Sequence, residues 1–337
     1  MIMRPLAVSM GDPAGIGLEL AAEVWADRQG APEFFLVGDG DAFARACRRI
    51  GVTAPKLNIA TRLDELSFSA DALTVLDTPL AIEETLGAPD PVNASAVITA
   101  IERGVEAARS GAASALVTLP IAKSVLHDAS FAFPGHTEFI AHLTEADAWD
   151  QTRGPVMMLA GPSLRVALTS IHVPLAEAVR TLSRERIAHV ARVTGEALKR
   201  DFGVASPRIT LCGLNPHAGE HGHIGREEIE IINPAAAMLR AEGWDVSDAR
   251  SADVLFHEEA RAGYDAVIAL YHDQGLIPIK TLHFWDGVNI TLGLPIVRTS
   301  PDHGTGFDIA GKGVARADSF RAALVQAAAM AARRAQA

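Results

Sequence analysis

The sequence predicts an α/β protein, a mostly parallel sheet with helices on both faces. Three observations carry that expectation. Short apolar runs rich in β-branched residues alternate with longer helical patterns along almost the whole chain. The runs are bounded by turn residues or lead into a helix, as buried strands of crossover units do. The chain has 337 residues, 49% hydrophobic and 21% charged, which suits two α/β domains or one large one and argues against a mainly disordered chain. Because aromatics make up only 5%, the core has to rest on Ala, Val, Leu and Ile.

Taken in order, residues 6–9, 34–37, 73–76 and 115–119 read as buried strands, followed by 165–171, 208–214 and 266–271. Helical periodicity is clearest over 93–110, 184–199 and 316–334. No internal repeat or low-complexity linker interrupts the pattern. Residues 131–135 and the polar stretch 145–154 mark a candidate domain crossing. In folds of this kind the carboxyl ends of parallel strands open on the ligand crevice, so residues just after a strand are the first candidates for chemistry.

Composition excludes several classes of function. With 30 basic against 41 acidic residues and a net charge of −11, neither a nucleic-acid groove nor an anionic membrane surface is expected. Only Cys47 and Cys212 are present, too few for a disulfide framework or a cysteine zinc site and in keeping with a reducing cytoplasm. The opening apolar stretch is short and runs into Gly11-Asp12-Pro13, unlike a secretion signal. The apolar tail 322–332 contains Gln326 and ends in Arg333-Arg334, so it reads as a terminal helix rather than a membrane span.

Three histidines follow three of the expected strands: His172 after Ile171, His217 after Leu214-Asn215-Pro216, and His272 after Tyr271. They are too far apart for one local motif, yet the fold can bring them to one sheet edge. Neutral imidazole is a common ligand for zinc and similar divalent ions, and three protein ligands with an open position describe a catalytic metal centre. With 12 histidines in the chain, any one of them alone is more simply a loop residue. Asp273, beside His272, is placed to orient a ligand, take up a proton or cap the next turn. The run from His217 to His223 holds three histidines, but Gly219 and Gly222 oppose a helix that would align His217 with His221. His221 and His223 are therefore read as loop residues.

A second group of residues suits anions. Pro134-Gly135-His136-Thr137-Glu138-Phe139 reads as a turn entering a helix, where free N–H groups, His136 and Thr137 could meet an anion. Simple capping by Thr137 is the alternative. Lys280 and Arg298 are cations beside apolar runs, and Asn289 is a polar residue between Val288 and Ile290 that needs a hydrogen-bond partner. Together they could clamp phosphate and carboxylate; singly, each could be a salt bridge or turn residue. The turn-rich run 299–308, with His303, Gly304, Thr305 and Gly306, could wrap a nucleotide. Residues 11–17 tempt a Rossmann reading but lack the third glycine or alanine, so a tight turn into a helix is expected there.

These segments together resemble the 4-hydroxythreonine-4-phosphate dehydrogenase family of vitamin B6 biosynthesis. The matching stretches are MGDPAGIG at 10–17, TLPIAK at 118–123, PGHTEF at 134–139, GLNPHAGE at 213–220, YHDQGLIPIK at 271–280 and GVNITLGLPIVRTSPDHGTGFDIAGKG at 287–313. They span nearly the whole chain in the family's order. The resemblance implies a two-domain α/β/α fold of the isocitrate and isopropylmalate dehydrogenase type, working as a homodimer with its active site at the subunit interface. It implies a nucleotide-side domain of residues 1–130 plus 275–337, and a middle domain of 131–274 carrying metal ligands and dimer contacts. The metal ligands fall on His172, His217 and His272, for zinc, magnesium or cobalt. Substrate contacts fall on His136, Thr137, Lys280, Asn289 and Arg298, with NAD or NADP bound partly by residues 303–306. The family commonly has proline where Leu18 stands and small residues where His221 and His223 stand, so local loop shape is expected to differ there.

The implied reaction is metal-assisted oxidation of 4-phosphooxy-L-threonine to 2-amino-3-oxo-4-phosphooxybutanoate, which decarboxylates to 3-amino-2-oxopropyl phosphate. Asp273, Asp253 or a bound water are the candidate bases. Rival readings are a paralogue acting on 4-phospho-D-threonate, the erythronate ester or an aromatic cis-diol, a metal hydrolase, and a metabolite-binding protein without activity.

Overall fold

The first strand, β1 (Leu6–Ser9), has every side chain buried, as a strand covered on both faces requires. The computed structural model describes residues 4–129 and 131–336. After β1 come α1 (Gly17–Ala26), β2 (Phe34–Gly38), α2 (Gly40–Arg49), β3 (Lys56–Ala60), β4 (Ala72–Asp77), α3 (Ala94–Arg109), β5 (Leu116–Thr118), α4 (Lys123–Asp128) and α5 (His136–Leu143). A second series follows: β6 (Val156–Gly161), β7 (Leu164–Leu168), α6 (Leu175–Arg180), α7 (Arg184–Arg200), β8 (Arg208–Cys212), α8 (Asn233–Ala241), β9 (Asp245–Arg250), α9 (Glu258–Arg261), β10 (Ala266–Ala269), α10 (His272–Leu282) and β11 (Val288–Leu292). The chain closes with β12 (Arg298–Pro301) and α11 (Asp318–Arg334).

Contacts divide the chain into two units. Unit 1 takes in the chain through Asp147 together with Pro295–Ala332, and unit 2 is Ala148–Leu294 with the last residues from Arg333. These limits differ from the expected 1–130 plus 275–337 against 131–274. Residues 131–147 group with unit 1 because α5 packs on α3, and 275–294 group with unit 2 because α10 packs on β6, β7 and β10 while β11 pairs with β6. The expected limit at residue 130 and the opening Met1–Met3 lie outside the described residues.

Within unit 1 the strands run parallel in the order β3-β4-β2-β1-β5-β12. The few aromatics available are spent at its centre, where Phe35, Phe43 and Phe320 are fully buried. Unit 2 follows the order β11-β6-β7-β10-β8-β9. Here β7, β10, β8 and β9 are parallel, but β6 is antiparallel to both β11 and β7. A two-residue hairpin between Gly161 and Leu164 causes the reversal, since only antiparallel neighbours can be joined so tightly. Among the described residues no helix is long and apolar enough to cross a membrane.

Unit 2 is tied at one corner by a buried carboxylate. Asp201, 1% exposed, accepts paired hydrogen bonds from Arg200, both 2.7 Å, and from Arg334, 2.7 and 3.0 Å. Both guanidinium groups also lie over the Trp149 ring, at 4.4 and 5.5 Å. Burial pushes the Asp201 carboxyl up, but the hydrogen bonds and charges of the two arginines outweigh it and hold the group below the usual carboxylate range. Stability from this clamp is therefore complete above the ordinary carboxylate pKa of 3.8 and is lost as pH falls through the lower folded value. Asp201→Ala, which strands two arginines at a buried position, should cost about 3–5 kcal/mol in urea denaturation at pH 7. Asp201→Asn should flatten the acid limb of the stability curve below the ordinary carboxylate pKa.

Candidate active site

In unit 2, β10 lies between β7 and β8, and all three run parallel. Neighbouring strands are only about 4.8 Å apart, so the loops that follow them leave the sheet side by side. The segments that follow these strands carry His172, His272 and His217. The strands end earlier than the sequence suggests. β7 stops at Leu168 rather than Ile171, because Thr169 N–H makes one more bond, to Ala269 O (2.8 Å), before the chain turns toward Pro174 and α6. His172 therefore stands in an exposed turn, and His272 is the first residue of α10 rather than a loop residue.

The rings of His172 and His272 are neighbours, with centroids 5.8 Å apart. Together with Ile171, Val173, Tyr271 and Asp273 they line a cavity of about 330 Å³. Asp273 Oδ1 lies 2.7 Å from His272 Nδ1. A proton on Nδ1 donates to that carboxylate, which leaves the Nε2 lone pair directed away from it, the usual carboxylate–histidine arrangement around a metal. The chemistry of this donor pair therefore fits a borderline divalent ion.

His217 sits differently. Residues 217–221 form a left-handed turn, with φ of 52°, 51°, 80°, 43° and 54° in succession. Such backbone costs roughly 1–2 kcal/mol per non-glycine residue, so it persists only where its surroundings hold it. Gly219 and Gly222 rule out an α-helix here, as expected; His221 is an exposed part of the same turn and His223 directly follows it. The turn carrying His217 packs against the short helical turn Ala252–Val254 after β9, which holds Asp253. The Ser251 hydroxyl, and after it the backbone N–H of Asp253 itself, hold the exposed Asp253 carboxyl below its ordinary range against a smaller cost of desolvation. Among the described residues, no three His, Cys, Asp or Glu side chains are grouped so as to hold a metal ion. The structure thus brings His172 and His272 together and leaves His217 with Asp253.

The other unit 2 candidates lie on regular elements. Lys280 is in α10, its Nζ 5.7 Å from the Phe284 ring centroid. Asn289 is in β11 with Oδ1 buried and unpartnered, the unmet requirement anticipated for a polar residue at this position.

Unit 1 holds the rest. His136 and Thr137 are the first two residues of α5, which Gly135 caps without a side-chain bond. Thr137 is inside the helix, so the capping explanation for it fails. The His136 ring is half-buried with Nε2 sealed from solvent and meeting no partner. Burial, then the charges of Arg298 and Lys123, push its pKa well below the ordinary 6.5. Arg298, at the start of β12, is itself buried and donates to Thr118 Oγ1 at 2.6 Å. Burial lowers its pKa to about 10, with Glu138 opposing, so it stays charged at neutral pH. Two cations around a neutral imidazole at a helix start make a site for an anion.

Lys123 and Thr118 belong to this cluster although the sequence reading did not single them out as site residues. Lys123 opens α4, where the helix dipole disfavours a cation. A lysine at such a helix start is the signal that could have found it. The 303–306 turn is likewise built in. Thr305 O accepts from Ile16 N–H (2.9 Å), and a Cβ on Gly15 would stand 2.6 Å from that oxygen. Residues 11–17 thus form a tight turn packed against this segment, as expected in place of a Rossmann loop. His303 Nδ1 lies 3.0 Å from Gly304 O.

Comparison with known proteins now decides the family. Residues 31–327 match the family model described as pyridoxal phosphate biosynthetic protein PdxA. The chain is 55% identical to 4-hydroxythreonine-4-phosphate dehydrogenase of Maricaulis maris (strain MCS10), covering 96% of this chain and 97% of the relative. It is 54% identical to the Caulobacter vibrioides enzyme of the same name, over 99% of each chain. The chain belongs to the 4-hydroxythreonine-4-phosphate dehydrogenase family. A crystal structure of a dehydrogenase of this family from Klebsiella pneumoniae superposes with a TM-score of 0.86 at 39% identity, over 97% of this chain and 99% of that one. A terephthalate 1,2-cis-dihydrodiol dehydrogenase from Burkholderia xenovorans LB400 is more distant, with a TM-score of 0.63 at 29% identity, over 97% and 99%.

The ionisation of His136 gives a direct check on the anion cluster. A free histidine is half-protonated at pH 6.5, whereas His136 should remain neutral there, read from its ring nitrogen shifts by NMR. Because its folded pKa is depressed, protonation opposes folding. His136→Gln should therefore lose less stability than the parent as pH falls below 6.5 toward the lower folded value.

Proposed function

We propose that this chain oxidises the C3 hydroxyl of 4-phosphooxy-L-threonine, passing hydride to NAD or NADP, as a step of vitamin B6 biosynthesis in the cytoplasm. The observation that carries the reading is the cationic cluster around His136 on a chain of this dehydrogenase family, because a substrate with a phosphate and a carboxylate needs such a cluster. The β-keto acid formed, 2-amino-3-oxo-4-phosphooxybutanoate, then loses carbon dioxide to give 3-amino-2-oxopropyl phosphate.

Arg298, held charged and oriented by Thr118, binds one anionic group of the substrate. His136 and Thr137 add donors without adding charge, and Lys280 and Asn289 complete the proposed substrate contacts. The turn of His303, Gly304, Thr305 and Gly306 binds part of the nucleotide. His172, His217 and His272 would together hold a divalent zinc, magnesium or cobalt ion, which when bound would supply Lewis-acid chemistry. Asp273, engaged with His272 Nδ1, is suited to orienting that ligand, and Asp273, Asp253 or a bound water accepts the hydroxyl proton. A homodimer with its active site at the subunit interface accounts for an imidazole set that does not close within one chain. Exposed apolar residues beside the histidines support it, with Val173 and Leu175 following His172, and Ile277, Phe284 and Trp285 on and after α10.

The test is nicotinamide reduction by the purified protein with 4-phosphooxy-L-threonine and either nucleotide, with and without chelator. 4-Phospho-D-threonate, 4-phospho-D-erythronate and an aromatic cis-diol serve as parallel substrates. Reduction should be chelator-sensitive and fastest with the threonine ester. A preference for another ester or for the diol would overturn the substrate while keeping the reaction class. Arg298→Met should lower kcat/KM by about 10²-fold or more, mostly through KM, as expected for a lost charge-assisted contact. His217→Ala should lose both bound metal and turnover; full turnover in its metal-free form would overturn the metal role.

A further inference from the structure

The turn that carries His217 is anchored by a side chain outside the ligand set. Glu228 is buried, 2% exposed. Its Oε1 accepts from the backbone N–H groups of Leu214 and Asn215, each at 2.7 Å, and its Oε2 accepts from Asn215 Nδ2 at 2.9 Å. The same Asn215 amide donates to Glu227 Oε2 at 2.6 Å. One carboxylate therefore grips, by three donors, the two residues that lead through Pro216 into His217.

The fit beneath the turn is equally close. A Cβ on Gly219 would stand 2.7 Å from Glu228 Oε2, and one on Gly225 would stand 2.3 Å from Asn215 Nδ2. Glu228 also opens the π-helical turn Glu228–Ile232, whose hydrogen bonds span one residue more than an α-helix's and which is frequent at functional sites. A left-handed run such as 217–221 does not hold itself. Its entry is fixed by the carboxylate, and its middle is closed down onto the same carboxylate at Gly219. A carboxylate suits this place because it only accepts, and its two oxygens face donors of one loop at several angles.

We infer that Glu228 is a positioning residue for His217: it fixes the turn in which that imidazole is presented to the metal, and so sets metal affinity. This rests on the reading of His217 as a ligand. Outer partners that orient a ligand commonly change metal affinity by about 10–100-fold when removed. A residue serving only the fold would lower stability and leave the ligand field alone.

The experiment uses the full-length protein, stripped of metal and titrated with cobalt(II) against a competing chelator, with the visible spectrum of the bound ion recorded. Glu228→Ala should bind cobalt about 10–100-fold more weakly and shift its visible bands. Glu228→Gln keeps an oxygen for the two backbone N–H groups but turns a donor toward Asn215, and should bind several-fold more weakly. Glu230→Gln, an exposed residue of the same helical turn paired with Arg226, should match the parent. Parental affinity and spectrum in Glu228→Ala, even with a lowered thermal midpoint, would overturn the inference. Should that variant fail to fold, parental affinity and spectrum in Glu228→Gln would overturn it instead. His217→Ala, run alongside, separates the two claims. If it keeps parental cobalt binding, the ligand reading itself falls. If it loses binding while both Glu228 variants retain it, only the role of Glu228 falls.

Discussion

With β10 between β7 and β8, all parallel, three loops from distant parts of the chain must leave the sheet at the same edge. The chemistry of unit 2 depends on this placement. Each strand is short, four or five residues, and one face is filled by Val166, Leu168, Cys212, Val267 and Ala269, all buried in one core. A one-residue slip would carry those side chains to the opposite face, which Ala167, Leu211 and Ile268 already fill, and disrupt the packing of both. Loop ends are therefore fixed by packing deep in the sheet rather than by contacts among the loops. That leaves the loops free to carry polar residues that contribute little to stability.

Unit 1 solves a different problem, which is to keep positive charge where water is scarce. Burying Arg298 is costly, and Thr118 together with the field of Glu138 offsets part of that cost. His136 responds to the same surroundings by staying neutral. An imidazole that protonated there would add a third positive charge beside Arg298 and Lys123. The cluster is thus strongly attractive to an anion while remaining tolerable in its absence. Its position at a helix start adds backbone donors aimed the same way.

Much of this was legible from residue patterns. Strands such as 6–9 and 34–37 announced themselves because burial on both faces demands largely apolar runs. The helix 184–199 did so by its periodicity; its cap, Ser183 accepting from Arg186 N–H, came to light only in the fold. The antiparallel turn of β6 was not legible, because a buried strand has the same composition whichever way its neighbour runs. Nor was the early end of β7, where β-branched Thr169 and Ile171 pass for strand but are drawn off by the turn before Pro174. Around the site, the histidines and Arg298 could be nominated from sequence. Which histidines would be neighbours could not, since that follows from strand order. Glu228 was invisible for another reason: glutamate at the start of a helical stretch is ordinary, and only the folded turn shows what its carboxylate holds.

The candidate residues of unit 1 and those of unit 2 illustrate opposite ways of holding a functional side chain. Arg298 and His136 sit on a strand and a helix, where the main chain is at a minimum and burial tunes the charge. His217 sits on backbone that is unfavourable on its own. An α-helical course there would satisfy Pro216 at a first-turn position but would carry His217 along a helix face and remove Gly219 from its contact with Glu228. A left-handed course instead reverses the chain within a few residues, so that the imidazole stays near the strand from which it came. The strain is local, and it is offset locally by hydrogen bonds that only this course can make. Where a ligand must stand at a defined point just beyond a sheet edge, an anchored and strained turn holds position better than a relaxed loop, because every alternative path gives up the anchor first.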